Sequence, residues 1–279
     1  MCSHDAHESA PVLERVTVVA NERVATGVGI LVLYAPHTAS NVLPGQCVHL
    51  RVAEGREFLL RRPFSVHRAS GEHVEILYQV LGTGTRAMSL LGTGEVCDLI
   101  GPLGSGWQVP EGIGHALVVT GGLGAAPLGT LVENLAREGV AVSVAMGAPC
   151  EERLVARRLF EDVARSVDVA TDDGSAGERG FVTAVSERLL AAHHYDIVYC
   201  CGPEPMQRIV AAQARSHGVP CQVSLERLMA CGVGACLSCV VTTRTGLKRA
   251  CVDGPVFDAE EVLWEPSEVP HKHEGSVGS

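Results

Sequence analysis

Residues 116–148 read ALVVTGGLGAAPLGTLVENLAREGVAVSVAMGA, and the order of patterns inside them decides the fold. A strand-length apolar run, 116–122, ends in glycines. A stretch with helical spacing follows from Ala126 to Glu138, and a second apolar run, 140–148, closes the unit. The alternation then continues: a helix at about 151–163, the run 167–173, a helix at 181–192, the run 196–202 and a helix at 204–216. Strand and helix in regular alternation predict a parallel sheet with helices on both faces.

Upstream, to about Pro110, the pattern differs. Short apolar or alternating runs such as VGILVLYAP (28–36), QCVHLRV (46–52), HVEILYQV (73–80) and EVCDLIGPLG (95–104) lie between glycine and proline breaks. Strands at that spacing, without a long helical period, predict a small antiparallel barrel. Downstream, from Cys221, glycines and cysteines crowd together and neither period persists. The predicted class is therefore multidomain β plus α/β: an antiparallel β-barrel at 11–111, a parallel-sheet α/β domain at 112–220 and a small metal-centred domain at 221–264. The final segment, 265–279, is expected to be a disordered acidic tail; from Asp258 onward six acids stand against Lys272 alone. No repeat of fixed period is visible.

The 279 residues are 46% hydrophobic and 19% charged, which excludes extended disorder. A net charge of −10 argues against a nucleic-acid partner, because a phosphate backbone is gripped by clustered Lys and Arg. Gly112–Val132 has no Asp, Glu, Lys or Arg and is long enough to span a bilayer. Gly121, Gly122, Gly124 and Pro127 break it into a run, a turn and a new start, so no membrane role is expected. The start, MCSHDAHESA, lacks a basic residue followed by an apolar stretch, and the chain is too rich in core residues to need disulfide staples. Its eleven cysteines are accordingly expected in a reducing, cytoplasmic setting, available to a metal.

Four of them, Cys231, Cys236, Cys239 and Cys251, have the spacing C-x4-C-x2-C, then 11 residues, then C. The x4 and x2 intervals are those of plant-type [2Fe–2S] centres, in which four thiolates complete the shells of two bridged irons. Gly232, Gly234, Ala235 and Ser238 suit a tight loop whose amides approach the sulfurs. The rival is structural zinc, which also takes four thiolates but more often from two separate C-x2-C knuckles. Cys2, Cys47, Cys97, Cys150, Cys200 and Cys221 read as core or surface thiols.

Two loops end strands of the predicted parallel sheet. Gly121-Gly122-Leu123-Gly124-Ala125-Ala126-Pro127 precedes a helix, where backbone amides can meet a pyrophosphate, although a plain βα turn fits as well. Cys201-Gly202-Pro203-Glu204-Pro205-Met206 stands on the same carboxyl edge, where ligands bind in open α/β sheets. In the barrel, Arg61-Arg62-Pro63-Phe64-Ser65 combines charges for a phosphate, a ring for stacking and a hydroxyl. By itself it also reads as a strand end with surface arginines.

Taken in order, RRPFS, GGxGxxP, CGPxxM and the terminal cysteines resemble the ferredoxin reductase-like flavoproteins. More closely, the chain is similar to the electron-transfer subunits of NAD-dependent (class B) dihydroorotate dehydrogenases, over roughly residues 12–264. The most specific part is LERLMACGVGAC (225–236) with CVDGPVF (251–257). That resemblance implies an FAD site at Arg62, Pro63, Phe64 and Ser65. Arg62 would meet the pyrophosphate, Phe64 would cover the flavin, and Ser65 would lie near its N5. Phe64 stands where the wider superfamily has tyrosine, so a phenol hydrogen bond is lost while stacking is kept. Leu77, Tyr78 and Gln79 match the next FAD stretch, and Gly84 and Thr85 a phosphate contact. Gly121, Gly122, Gly124 and Pro127 match the NAD(H) loop, with Cys201, Gly202 and Pro203 facing the nicotinamide. Thr171-Asp172-Asp173-Gly174 resembles a further loop on that edge.

The family uses NAD, and Gly147-Ala148-Pro149-Cys150 carries no basic cluster for a 2′-phosphate, though Arg153 is near in sequence. The implied function is transfer of electrons from an FMN-containing catalytic subunit through [2Fe–2S] and FAD to NAD⁺ in pyrimidine biosynthesis, within a heterotetramer of two plus two subunits. Dihydroorotate itself would bind the partner, and this chain needs no general acid or base. A reductase subunit serving ferredoxin, sulfide or a hydrogenase would share the same motifs. A redox-inactive, zinc-containing binding protein would not turn yellow-brown on purification.

Overall fold

The computed structural model describes residues 10–264, so Cys2 and the acidic tail lie outside the described residues. Seven strands form the first sheet: β1 (Val12–Ala25), β2 (Val28–Tyr34), β3 (Cys47–Arg51), β4 (Arg62–Ser65), β5 (Arg68–Ser70), β6 (His73–Gln79) and β7 (Val96–Leu103). Their order is β4-β3-β7-β1-β2-β6-β5, antiparallel throughout. Two residues bring the edges together. Val66 N donates to Gln46 O (3.1 Å) beside β3, and His67 N donates to Glu75 O (2.8 Å) in β6, so the sheet curls into the expected barrel. Alternation of side chains places Val16, Val18, Leu31, Leu33, Val74 and Ile76 inside. Two short helices, α1 (Pro36–Asn41) and α2 (Thr83–Met88), cover its ends, with Thr38 and Met88 buried.

The second sheet is built on β8 (His115–Gly121), β9 (Ala141–Ala148), β10 (Ser166–Thr171), β11 (Glu178–Arg179), β12 (Ile197–Cys201) and β13 (Cys221–Ser224), all parallel. Helices α3 (Gly129–Arg137) and α4 (Arg157–Val163) pack on one face, and α5 (Val182–Ala192) and α6 (Glu204–Ser216) on the other. The apolar stripe of α5 buries Val182, Val185, Leu189 and Leu190, the spacing of one helical face. Two helices begin later than the sequence predicts. Gly122–Leu128 winds as a 3-10 turn, because Pro127 has no N–H for an α-helical bond and regular helix starts beyond it. A second such turn, Glu151–Arg153, precedes α4.

The cysteine segment contains more strand than its composition suggests. A hairpin of β14 (Val240–Thr243) and β15 (Gly246–Arg249) follows the glycine-rich loop, and β16 (Val256–Asp258) returns antiparallel to β13. The second sheet therefore runs β11-β10-β9-β8-β12-β13-β16, and the change of composition at Cys221 falls inside it rather than at its edge. A four-residue strand among so many glycines carries too little period to be legible. Cys239, Val241, Ala250 and Cys251 share the apolar core of the α5 and α6 face. Ser105 ties the barrel to the segment, its N–H donating to Gly254 O (2.6 Å) and its hydroxyl to Asp253 O (3.0 Å). Gly112–Val132 is strand, turn and helix start, and among the described residues no helix is long and apolar enough to cross a membrane.

Candidate redox-cofactor sites

A pocket of about 320 Å³ opens where barrel, parallel sheet and cysteine segment meet. The barrel contributes Arg62, Pro63, Phe64 and Ser65 from β4, Leu77, Tyr78 and Gln79 from β6, and Thr85 from α2. Pro127 and Cys201 come from the two loops of the sheet, and Met229, Ala250 and Pro255 from the cysteine segment. Gly84 lies outside this lining but beneath Arg62: a Cβ on Gly84 would stand 2.9 Å from the Arg62 Nε. The guanidinium is thus laid across the start of α2, with Nη1 donating to Leu60 O. Tyr78 lines the pocket while its side chain belongs to the barrel core, its hydroxyl donating to Asn21 Oδ1 at 2.8 Å. Cys201, expected to face the nicotinamide, lines this smaller pocket and not the larger cavity beside it, and burial pushes its thiol up to about 12. A ring-sized pocket with an aromatic, a hydroxyl and a fixed cation at its barrel side fits a flavin nucleotide.

Beside it lies a larger cavity of about 800 Å³, lined by Gly121, Gly122, Pro203, Pro205 and Met206 and, further out, by Cys150, Arg153 and Asp172. Gln79 and Leu123 line both spaces, so a ligand in one borders a ligand in the other. The two loops touch through backbone. Gly124 is pressed on Cys201, where any Cβ would overlap the Cys201 carbonyl oxygen, and Gly122 turns with φ +55°. Gly202, Pro203 and Gly124 share a third space of about 350 Å³ with Glu226. Exposed amides at the carboxyl edge of a parallel sheet suit a dinucleotide. Of the Thr171–Gly174 loop, Asp172 reaches this cavity.

The four cysteines stand as two pairs. Cys236 N and Val233 N both donate to Cys231 Sγ at 3.4 Å. The Cys236 thiol is drawn down to about 6 by the hydroxyl and backbone of Ser238 and by Cys231 beside it. Gly234 N donates to Cys251 Sγ at 3.2 Å, and burial together with the adjacent Cys239 sulfur pushes the Cys251 thiol up to about 12. Among the described residues, no three His, Cys, Asp or Glu side chains close on a single point. Thiols whose charges repel one another, with amides already aimed at their sulfurs, fit a cationic centre held as two plus two ligands.

Sequence reasoning missed two residues of β3. Cys47 pairs with Ser65 on the neighbouring strand β4, lines the smaller pocket, and is pushed up to about 12 by burial and by the Cys251 and Cys239 sulfurs. His49, two residues on, is fully buried. Only a contact map could have found them, since nothing in QCVHLRV distinguishes these side chains from ordinary strand residues. Arg227, marked in the sequence by resemblance alone, binds Glu204 of α6 at 2.8 Å and lines the same pocket.

Residues 226–263 match the family model described as the iron–sulfur cluster binding domain of dihydroorotate dehydrogenase B. Over 254 residues the chain is 38% identical to the dihydroorotate dehydrogenase B (NAD⁺) electron transfer subunit of Desulforamulus reducens, covering 89% of this chain and 97% of that one. The subunit of the same name from Geobacillus thermodenitrificans is 39% identical over 259 residues, covering 90% and 98%. A solved NADH-dependent reduced ferredoxin-NADP oxidoreductase, studied for flavin-based electron bifurcation, superposes with a TM-score of 0.82 at 32% identity, covering 89% of this chain and 90% of that one. The CS-b5R domains of human Ncb5or share the fold alone, at 15% identity and a TM-score of 0.63 over 75% of this chain and 67% of that one.

Proposed function

Because the chain belongs to the family of dihydroorotate dehydrogenase B (NAD⁺) electron transfer subunits, we propose that it carries electrons from a dihydroorotate-oxidising catalytic subunit to NAD⁺. It is the flavin and iron–sulfur component of that oxidoreductase. Bound in the smaller pocket, FAD supplies the conversion between the paired electrons of a hydride and the single electrons of a [2Fe–2S] cluster. The chain's own residues bind and orient. Arg62, laid over Gly84, offers a fixed charge to the pyrophosphate. Phe64 gives a face for stacking, and Ser65 a hydroxyl at the ring. Gly121, Gly122 and Gly124, with Gly202 and Pro203, present backbone to NAD(H). Cys231, Cys236, Cys239 and Cys251 would hold the cluster through their thiolates.

The observation that carries this reading is the common wall. One pocket is lined by Arg62–Ser65, by both loops of the parallel sheet, and by Met229 and Ala250 next to the cysteines. A carrier seated there borders nicotinamide on one side and the cluster on the other. We further propose that the catalytic subunit carries FMN, that two copies of each subunit assemble in the cytoplasm, and that dihydroorotate binds the partner alone. We propose a functional division in which 11–111 serves chiefly FAD, 112–220 NAD and 221–264 the cluster, with β13 and β16 of the last segment completing the second sheet.

The test is reconstitution. The purified chain is expected to show flavin and iron–sulfide absorption that NADH bleaches, and, with its catalytic subunit, to support dihydroorotate-dependent NAD⁺ reduction. A colourless protein containing zinc would refute the cofactor assignment. The likeness to the ferredoxin-NADP oxidoreductase supports one second reading, a ferredoxin-linked reductase. Copurification with a ferredoxin partner and no response to dihydroorotate would select it.

A further inference from the structure

The strand β3 lies against both the smaller pocket, through Cys47, and the cysteine loop, through His49 at its centre. His49 pairs with Pro63 of β4 on one side and Ile100 of β7 on the other. Its side chain is wholly buried, and neither ring nitrogen makes a hydrogen bond of good geometry, although the backbones of Arg61 and Cys231 lie close to the ring. An imidazole always carries at least one N–H, so a buried donor is left without an acceptor, an arrangement that costs about 1–3 kcal/mol unless something satisfies it. The ring is not adrift in apolar packing. It presses on the turn after Cys231, where a Cβ on Gly232 would stand 2.5 Å from Nδ1, and Gly232 has φ +73°. Glycine at that position lets the cysteine loop settle directly on the imidazole. Cys47, on the same face of β3, lies near the Cys239 and Cys251 sulfurs, so this face is the floor of the whole centre.

We propose that His49 is a positioning residue for the iron–sulfur cluster: its unsatisfied N–H is held by β3 as a hydrogen-bond donor to the sulfur ligands at the Cys231 end of the centre. The inference rests on the reading of Cys231 as a ligand. A donor to sulfur stabilises the reduced, more negative state and raises the reduction potential. Neutral or charged, an imidazole has at least one N–H to give. A ring whose N–H went only to backbone would hold the loop and leave the potential unchanged.

The test uses the full chain with FAD and cluster bound, comparing wild type, His49→Gln and His49→Leu by EPR-monitored redox titration. Iron and acid-labile sulfide are assayed on the same samples. At the wild-type midpoint, His49→Leu is expected to lower the ratio of reduced to oxidised cluster about tenfold, equivalent to 59 mV for one electron, while His49→Gln, which keeps a donor, restores most of it. An iron-replete His49→Leu protein with the wild-type midpoint overturns the proposal. Should His49→Leu fail to fold, pulsed EPR of wild type labelled with ¹⁵N-histidine decides: a nitrogen coupling that disappears in His49→Gln supports the donor, and no coupling refutes it. Wild type without iron would instead refute the ligand assignment, a separate outcome.

Discussion

Gly124 has the Cys201 carbonyl where a side chain would begin, and that single contact locks the two nucleotide loops together. Gly124→Ala must push them apart, an overpacking of about 1–3 kcal/mol. The expected result is a KM for NADH raised about tenfold or more, with flavin content unchanged, measured with an artificial acceptor. Arg62 acts on the other ligand. Loss of charged hydrogen bonds to a phosphate is worth about 1.5–3 kcal/mol, so Arg62→Ala is expected to weaken FAD retention about ten- to a hundredfold, read as flavin occupancy after gel filtration. Cys236→Ser replaces a soft thiolate by a poor ligand, and iron content per chain is expected to collapse; full iron retention would remove Cys236 from the ligand set.

Among the elements, the turn from β15 to Cys251 depends on one carboxylate. Asp253 accepts from Arg249 N (2.7 Å), Nε (3.0 Å) and Nη2 (3.3 Å), and Arg249 holds its carboxyl below the ordinary aspartate range. A depressed folded pKa means this contribution is complete above about pH 4 and is lost as pH falls through the lowered value. Asp253→Asn is therefore expected to speed amide exchange of Val252–Gly254 several-fold at neutral pH and to leave little further loss on acidification. The larger elements were legible. The runs 116–122 and 140–148 announced β8 and β9, and the stripe at 181–192 announced α5, because burial on one or both faces imposes a period on the side chains. Cys221–Ser224 and the β14–β15 hairpin were not, since four residues hold too few repeats. The candidate ligand cysteines stand out by their spacing, whereas Cys47 and His49 meet the cysteine loop through tertiary contacts that a strand pattern does not encode.

At the scale of the molecule, the smaller pocket is a joint as well as a site, for all three parts of the chain line it. A ligand that binds only the folded form stabilises it by about 2.7 kcal/mol at a hundredfold excess over Kd. Stripping FAD is therefore expected to lower Tm by about 5–10 °C and to loosen the cysteine segment along with the barrel, followed by calorimetry and by iron release into a chelator. The Ser105 contacts to Asp253 and Gly254, and the pairing of β16 with β13, carry the same coupling through the backbone. The common wall has one more consequence. None of Cys231, Cys236, Cys239 and Cys251 lines either space, but Met229 and Ala250, which flank them in the chain, line the smaller pocket and not the larger cavity that shares Gln79 and Leu123 with it. On the proposed assignment the architecture is thus insulated against a short circuit: current between the pyridine ring and the irons runs through the flavin seat, and emptying that seat leaves both terminals in place with the line between them cut.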